Sequence, residues 1–285
     1  MIDYCMPNNF LIDKHIKKSL AEDITNEDIS TNSIYKNGEN ATIDLIAKDN
    51  GIIAGIDIFK RVFEIIDSNI SFNIKKFDGD SVKKSDLILT ITGDVKTILM
   101  GERVALNYLQ HLSGIATTTN NIIKKLNDPN IKILDTRKTT PSMRIFEKYA
   151  VKIGGGYNHR YNLSDMIMLK DNHIAAAGSI KEAIKRARDY SPFIKKIEIE
   201  TETLDMVKEA IENNVDIIML DNMSIDDIKK AIKIIDKKAI IECSGNVDIN
   251  NISRFKGLDI NYISSGYITH SSKILDISMK NLKII

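Results

Sequence analysis

The sequence predicts an α/β barrel preceded by an α+β domain, and two patterns carry this prediction. From about residue 130 onwards, short apolar runs of strand-like length alternate with segments of helical periodicity. Such alternation favours a parallel sheet, either closed into a barrel or doubly wound. The preceding part differs: its strand-like runs, bounded by Gly, Asp and Asn, have antiparallel character. They are residues 42–47, 70–77 and 87–92, with a helical stretch at 56–66.

Six strand-like runs form the alternating part: residues 131–134, 166–169, 196–200, 216–220, 239–242 and 260–264. The last four recur about every 20 to 22 residues, which is the length of one βα unit. Two helix starts carry capping-box patterns, Ser179 with Glu182 and Ser224 with Asp227. Polar residues follow strand after strand, and neither a dinucleotide fingerprint nor a Walker loop is present, so a barrel is favoured over a doubly wound sheet.

Composition and charge exclude several classes of protein. The chain has 285 residues, of which 43% are hydrophobic and 28% charged, as in ordinary globular proteins. A net charge of only +1 argues against a general nucleic-acid-binding surface, and no apolar run approaches the roughly 20 residues that span a bilayer. The N-terminus shows no secretory signal, so Cys5 and Cys243 are expected to stay reduced and the protein to be cytoplasmic.

The most informative stretch, from Asp135 to His173, concentrates basic residues among small and apolar ones. Each of its ends follows an apolar run. Cations placed just after barrel strands are expected to point inward at the rim. The pattern therefore predicts a pocket for a small, multiply anionic substrate, with solvated surface charges as the alternative. The basic residues are Arg137, Lys138, His159, Arg160 and Lys170.

Two acidic residues, Glu200 and Asp221, close consecutive strands and are expected at neighbouring rim positions. Two carboxylates beside several cations suit Mg²⁺. A pair of helix N-caps or salt-bridge partners is the alternative, and Asp221 in particular comes just before a helix start. Glu198 lies two residues before Glu200. We take these two to face opposite sides of the strand and choose Glu200 because it lies nearer the rim.

Two loops after the last strands predict a phosphate site. Residues 244–246 (Ser-Gly-Asn) and 264–266 (Ser-Ser-Gly) each precede a predicted helix, and backbone N–H groups at helix starts bind phosphate in many barrels. His270 follows closely enough to reach a phosphate, whereas His173 is expected to cap a turn. The three glycines at 154–156 are a weaker signal, because a plain turn explains them equally well. These features together suit a phosphoribosyl or nucleotide substrate with magnesium.

Longer motifs then resemble one family. They are residues 102–117, 135–141 (Asp-Thr-Arg-Lys-Thr-Thr-Pro), 147–151, 154–160 (Gly-Gly-Gly-Tyr-Asn-His-Arg), 169–173 (Leu-Lys-Asp-Asn-His), 220–222 and 269–271. On these motifs, nearly the whole chain resembles the quinolinate phosphoribosyltransferases, the carboxylating nicotinate-nucleotide pyrophosphorylases among type II phosphoribosyltransferases. The chain departs from the family where residues 25–28 replace a more glycine-rich segment and where Ser142-Met143 stands at a common glycine position.

The resemblance implies an incomplete, seven-stranded α/β barrel with an N-terminal α+β open-faced sandwich. It implies an N-terminal domain at residues 1–112, joined by the C-terminal tail 268–285, and a barrel domain at 113–267. It also implies a homodimer in which the N-terminal domain of one subunit covers the barrel rim of the other. The implied reaction combines quinolinate with phosphoribosyl pyrophosphate, with Mg²⁺, to give nicotinate mononucleotide, CO₂ and pyrophosphate for NAD biosynthesis.

Residue roles follow from the resemblance by motif position. Arg137, His159 and Arg160 would bind the quinolinate carboxylates, with Arg103 supplied by the partner subunit. The implied catalytic residues are Lys138, Lys170, Glu200 and Asp221, of which the two lysines would contact the donor or the carboxylates, and the two acids would hold the ribose hydroxyls and magnesium. The implied substrate-binding set also includes Thr136 and the 5′-phosphate loops, Ser244, Gly245 and Asn246 with Ser265, Gly266 and Tyr267.

Two other interpretations stay open. A related enzyme of the same fold, such as a molybdenum-transport-associated homologue or a transferase that uses nicotinate, would keep most of these motifs. Arg103, Arg137 and Arg160 together favour a substrate with two carboxylates over that alternative. A non-catalytic anion-binding protein is the other, and Glu200 and Asp221 argue against it, because a binder has less need of metal-holding acids.

Overall fold

The computed structural model describes residues 7–36, 38–193 and 196–285. Its helices are α1 (Asn9–Asp23), α2 (Ile29–Ile34), α3 (Ile56–Ile66), α4 (Val95–Leu126), α5 (Arg144–Ile153), α6 (Asp171–Ala177), α7 (Ile180–Tyr190), α8 (Leu204–Glu212), α9 (Ile225–Ile235) and α10 (Tyr267–His270), with a 3-10 helix at Ile252–Phe255. Its strands are β1 (Asn40–Ala47), β2 (Gly51–Ile52), β3 (Ser71–Ile74), β4 (Ser81–Val82), β5 (Leu87–Asp94), β6 (Lys132–Leu134), β7 (Ile167–Leu169), β8 (Ile197–Thr201), β9 (Ile217–Asp221), β10 (Ile240–Ser244), β11 (Tyr262–Ser264) and β12 (Ile277–Ile284).

The chain divides into two compact units. The first combines the described residues up to Asn120 with Ile145–Gly155 and Ser272–Ile285. The second combines Asn121–Arg144 with Gly156–Ser271. Each unit therefore contains segments that are distant in sequence.

The first unit is built on an antiparallel sheet with strand order β12-β1-β5-β3. The burial of β1 alternates along the strand, so one face of it is packed and the other is partly exposed. Helix α3 carries a strong apolar stripe with Phe59 and Phe63 completely buried, and the Phe63 ring contacts Phe72 of β3. These features form the predicted α+β sandwich.

The resemblance assigned the C-terminal tail to this domain, but neither the strand that the tail forms nor the full extent of α4 was predicted. Strand β12 comes from the C-terminal segment and pairs with β1 at the edge of the sheet. Helix α4 continues for 32 residues, and Arg103 lies exposed on it.

The second unit is an incomplete α/β barrel, and its parallel strands are ordered β6-β11-β10-β9-β8-β7. Every predicted strand of this part is present, with bounds within about two residues of the prediction. The part of the chain that the structure describes supplies six regular strands to this sheet rather than seven. Tyr157 forms a single parallel bridge with Leu134 on β6, and the segment around it takes the seventh position.

Local signals in the sequence account for the helix starts of the barrel. Ser179 accepts a hydrogen bond from the Glu182 amide at 3.1 Å, and Ser224 accepts one from the Asp227 amide, also at 3.1 Å. Both predicted caps are therefore present. Because Ser224 caps α9, Asp221 is not the cap of this helix.

The remaining expectations concern cysteines and membranes. Cys243 is a buried free thiol, and burial, with Glu242 beside it, raises its pKa to about 12. Cys5 lies outside the described residues. None of the helices in the described ranges is both long and apolar enough to cross a membrane.

Candidate active site

A cavity of about 630 Å³ opens at the carboxyl ends of the barrel strands. In parallel α/β barrels this end collects the loops that follow every strand, and active sites form there. All the predicted site residues of the second unit line it: Thr136, Arg137, Lys138, His159, Arg160, Lys170, Glu200, Asp221, Ser244, Gly245, Asn246, Ser265, Gly266 and Tyr267. Arg103, which belongs to the first unit, is not a lining residue.

A second cavity, of about 790 Å³, lies at the opposite ends of β9 and β10. Its lining contains both lysines and aspartates, among them Lys233, Lys237, Asp216 and Asp236. Although it is the larger of the two, it lies at the amino ends of the strands, which in barrels contribute to stability rather than to chemistry. We therefore place the candidate site in the rim cavity.

The basic side of the rim cavity holds two neighbouring guanidinium groups. Burial lowers the pKa of Arg160, and the positive charge of Arg137 lowers it further. The repulsion between two like charges held close together is reduced when an anion binds between them. Arg137 is exposed at the mouth, whereas Arg160 is partly buried and donates to the Met166 carbonyl at 3.3 Å. This arrangement suits a ligand with more than one carboxylate.

Hydrogen bonds of its backbone amide and carbonyl fix the position of Lys138, and neither of them uses its ammonium group. Its amide donates to Thr136 Oγ1 at 2.9 Å, and its carbonyl accepts from Thr269 Oγ1 at 2.8 Å. A Cβ at Gly266 would lie 2.9 Å from the Lys138 side chain and 3.0 Å from the His270 ring. The absence of a side chain at Gly266 therefore leaves room for the Lys138 side chain to pass close to the loop that contains this glycine.

His159 lies beneath the cations, between two buried carboxylates. Its Nε2 is 3.1 Å from Glu198 Oε2 and 3.4 Å from Glu242 Oε2. Burial lowers the pKa of His159, but ion pairing with Glu198 and Glu242 outweighs burial and raises the pKa to about 10. The Arg160 amide lies 2.7 Å from Nδ1, an arrangement that favours the neutral ring, but one backbone dipole is weaker than two nearby charges.

The position of Glu198 corrects the sequence analysis. We expected Glu198 and Glu200 to face opposite sides of β8, but both face the barrel interior. Side chains alternate along a strand, so residues two apart share a face and the premise was wrong. Glu198 is completely buried, and burial raises its pKa, with the Glu242 charge adding to this effect and His159 opposing it.

Glu200 and Asp221 lie at adjacent rim positions, as predicted. A carboxylate oxygen of each, with one of Glu202, lies within 4.8 Å of the others. The Lys170 ammonium is 2.6 Å from Glu200 Oε2, so this lysine offsets part of the acidic charge. Glu202 was missed, although its spacing from Glu200 is the same two-residue interval that should have selected it.

The two predicted phosphate loops lie side by side. Gly245 has a φ of +102°, and a Cβ there would collide with the Asn222 side chain. Asn222 also accepts from Asn246 Nδ2 at 3.2 Å. The Ser265 hydroxyl donates to the Val247 carbonyl at 2.6 Å and its amide donates to Leu134, so Ser265 ties the loops together and these two donors are already engaged.

The structure bears on two further positions noted in the sequence, the predicted turn cap His173 and the family departure at Ser142. His173 Nδ1 accepts from the Lys170 amide at 3.0 Å, so His173 caps the start of α6 as expected. Ser142, at the position where a glycine is common, has a φ of +65°, which a non-glycine residue adopts only at a cost of about 1 kcal/mol or more.

We predict that the imidazolium of His159 loses its proton near pH 10, because two carboxylates hold it. The folded pKa lies above the ordinary value of 6.5, so its contribution to stability is complete below pH 6.5 and is lost as the pH rises through about 10. NMR titration of ¹⁵N-histidine protein, with His159→Gln for assignment, measures this, and Glu242→Gln should shift the midpoint downwards. A midpoint at or below 6.5 in the unaltered protein would contradict it.

Comparison with known proteins agrees with this geometry. The model of the quinolinate phosphoribosyl transferase N-terminal domain matches residues 28–113, and that of the C-terminal domain matches residues 115–280. A probable nicotinate-nucleotide pyrophosphorylase [carboxylating] of Bacillus subtilis is 44% identical over 95% of this chain and 94% of its own length. The crystal structure of NadC from Streptococcus pyogenes superposes with a TM-score of 0.96 at 53% identity and covers 98% of each chain. The protein therefore belongs to the quinolinate phosphoribosyltransferase family.

Proposed function

We propose that this protein transfers the phosphoribosyl group of phosphoribosyl pyrophosphate to quinolinate, with loss of one carboxylate. The products are nicotinate mononucleotide, CO₂ and pyrophosphate, and the reaction serves NAD biosynthesis. The relative from Bacillus subtilis bears the name of this activity. The observation that carries the proposal is one cavity lined by basic residues, acidic residues and two glycine-containing loops.

The basic residues support a dicarboxylate acceptor. Arg137 and Arg160 each present a planar group that can bind a carboxylate through two hydrogen bonds. The His159 imidazolium beneath them is already paired with Glu198 and Glu242, so the two guanidinium groups supply the positive charge that a ligand would meet. A monocarboxylate such as nicotinate would leave part of this charge uncompensated, so quinolinate is the better match.

The chemistry requires stabilisation of positive charge on the ribose. The bond between C1′ and the pyrophosphate oxygen breaks, its electron pair leaves with pyrophosphate, and the sugar gains oxocarbenium character. The pyridine nitrogen then donates its electron pair to C1′. Glu200 and Asp221 lie on the acidic side of the cavity, where their charges would favour this cation.

Decarboxylation follows from the bond to nitrogen. Once alkylated, the pyridinium ring withdraws electrons from C2, so the 2-carboxylate leaves as CO₂ and its electron pair stays on C2, which then takes a proton. No covalent enzyme intermediate is needed. The side chains contribute binding, orientation and charge, and the arginines hold both carboxylates until one of them leaves.

The acidic residues fit a magnesium ion. Glu200, Glu202 and Asp221 offer carboxylate oxygens within 4.8 Å of one another, and oxygen is the ligand that Mg²⁺ prefers. Bound Mg²⁺ supplies charge neutralisation for the pyrophosphate leaving group. Lys170 would have to share Glu200 with the metal, because its ammonium already pairs with that carboxylate.

We further propose a homodimer in which Arg103 completes the site of the partner subunit. Arg103 and Asn107 are exposed four residues apart on α4, so both lie on one face of this helix. An arginine on a surface patch of this kind is available to a second copy of the chain. The family resemblance implies the same arrangement.

We predict that the protein releases pyrophosphate with quinolinate at least about 100-fold faster than with nicotinate, because nicotinate has one carboxylate and leaves one of the two arginines, Arg137 or Arg160, without an anionic partner. Arg137→Ala should lower kcat/KM for quinolinate by a similar factor, while the exposed Arg186→Ala should not. A pyrophosphate-release assay measures all three. Release with nicotinate alone would refute the acceptor, and release with neither would favour a non-catalytic binder.

We predict that Asp221→Asn and Glu202→Gln each raise the magnesium concentration at half-maximal rate by about tenfold or more, because each removes one charged oxygen ligand. Calorimetric titration with Mg²⁺ gives an independent measure of the same change. The matched control is Asp226→Asn on the outer surface of α9. If all three variants responded to magnesium alike, the metal would not bind at these carboxylates.

We predict that an Arg103→Ala chain and an Arg137→Ala chain, each nearly inactive alone, recover activity when co-expressed. Random pairing into dimers gives one intact site in half of the molecules, so about a quarter of the original activity should return. Steady-state rates of the purified mixture measure this. Activity that stayed at the average of the two parents would mean that each site is built from one chain.

A further inference from the structure

Two loops carry the basic residues of the candidate site. The first cation loop, residues 135–143, contains Arg137 and Lys138, and the second cation loop, residues 157–165, contains His159 and Arg160. The affinity for a dicarboxylate depends on the separation of Arg137 and Arg160, since each must meet its own carboxylate. Any residue that fixes the distance between the two cation loops therefore influences the affinity for the acceptor.

Near their bases the loops are joined through the sheet. The Tyr157 amide donates to the Ile133 carbonyl of β6 at 2.8 Å, and the Asp135 amide donates to the Tyr157 carbonyl at 3.1 Å. The His159 amide donates to Asp135 Oδ1 at 2.8 Å. These bonds anchor the start of each loop. The cationic side chains lie farther along, where the loops leave the sheet.

Beyond the sheet, the Arg144 guanidinium joins the two loops. Its Nη2 donates to the Arg137 carbonyl at 3.2 Å and its Nε donates to Thr139 Oγ1 at 3.1 Å, both in the first cation loop. Its Nη1 donates to the Tyr161 carbonyl at 3.2 Å, in the second cation loop. The two carbonyls belong to Arg137 itself and to the residue that follows Arg160.

Electrostatic repulsion opposes the spacing that Arg144 maintains. Arg137 and Arg160 carry like charges close enough to affect each other, so their repulsion favours a larger separation of the loops. Arg144 counters this through carbonyl oxygens, the negative ends of the peptide dipoles, and its contacts reach the loops without occupying the cavity. A planar fork with three N–H vectors can satisfy three acceptors at once, which a lysine ammonium on a flexible stem does not reproduce.

The location of Arg144 supports a role for its side chain. It is the first residue of α5, and a positive charge at a helix N-terminus is unfavourable because it faces the positive end of the helix dipole. For the helix alone, an acidic or neutral residue would serve better at this position. The three hydrogen bonds to the loops offset that cost.

We propose that Arg144 is a positioning residue that sets the separation of Arg137 and Arg160 and so determines the affinity for the acceptor dicarboxylate. This inference rests on the proposed function, because it assigns the two arginines to the carboxylates of quinolinate. Arg144 itself touches no substrate in this assignment. Its effect should therefore appear in acceptor binding and leave binding of the phosphoribosyl donor unchanged.

The test compares Arg144→Lys with Arg186→Lys, a surface arginine on α7 whose partner is Glu182. Arg144→Lys should raise the KM for quinolinate about tenfold and keep the KM for phosphoribosyl pyrophosphate within about twofold, while Arg186→Lys changes neither. Equal shifts in both KM values would indicate a general structural role and overturn the proposal, as would an unchanged KM for quinolinate.

Two further measurements keep the test decisive. Thr139→Val removes one of the three acceptors and should raise the KM for quinolinate about two- to threefold, and this variant decides the question if Arg144→Lys does not fold. Calorimetric binding of quinolinate separates the two proposals. An unaltered protein that binds quinolinate but releases no pyrophosphate would refute the function, and the same titration on Arg144→Lys would still show whether affinity falls. Unchanged affinity would refute the role of Arg144.

Discussion

The site depends on one constraint, the parallel pairing of the six strands β6, β7, β8, β9, β10 and β11. Parallel pairing brings the carboxyl ends of all these strands to one rim. The strand order then sorts the rim into three arcs. Basic residues follow β7, the Tyr157 segment and β6, whereas Glu200 and Asp221 lie at the carboxyl ends of β8 and β9. The glycine-containing loops come at the ends of β10 and β11. The basic arc suits a diacid, the acidic arc suits a cationic sugar centre, and the glycine-containing loops suit a phosphate.

The buried carboxylates at the floor of the cavity favour the charged forms of the basic residues above them. Two buried carboxylates with one imidazole would leave net negative charge in a poorly solvated interior, which is costly unless further cations lie near. Arg160 is such a cation: burial and the Arg137 charge lower its pKa, and the nearby Glu198 charge opposes them. The floor thus stabilises the charged forms of His159 and Arg160, the two groups that cannot rely on water as the exposed Arg137 does.

Sequence patterns predicted most of the barrel and of the rim but little of what supports them. The βα alternation gave the strands, and position at the ends of strands selected Arg137, Lys170, Glu200 and Asp221 correctly as cavity residues. Glu198 was misassigned by an error in strand periodicity. Arg144 could not be found, because two of its three partners are backbone carbonyls, and a carbonyl leaves no trace in the residue pattern. The resemblance implied that the C-terminal tail joins the N-terminal domain, but the residue pattern did not show that it pairs with β1 as a strand, since the pairing of distant strands depends on tertiary packing.

Lys170 stands where the basic and acidic arcs meet, and its position explains how the two arcs coexist. Glu200, Glu202 and Asp221 repel one another when no cation lies between them, and the Lys170 ammonium at 2.6 Å from Glu200 reduces that repulsion. On the other side of β7, Arg160 donates to the carbonyl of Met166, the residue that precedes this strand, so the arginine-bearing segment lies beside the strand that carries Lys170. A lysine suits this boundary better than an arginine would, because a compact point charge on a flexible stem can turn from one anion to another, whereas a planar fork is fixed by its geometry. The planar guanidinium groups on the basic side and the point charge of Lys170 at the boundary therefore suit the different charges that surround each residue.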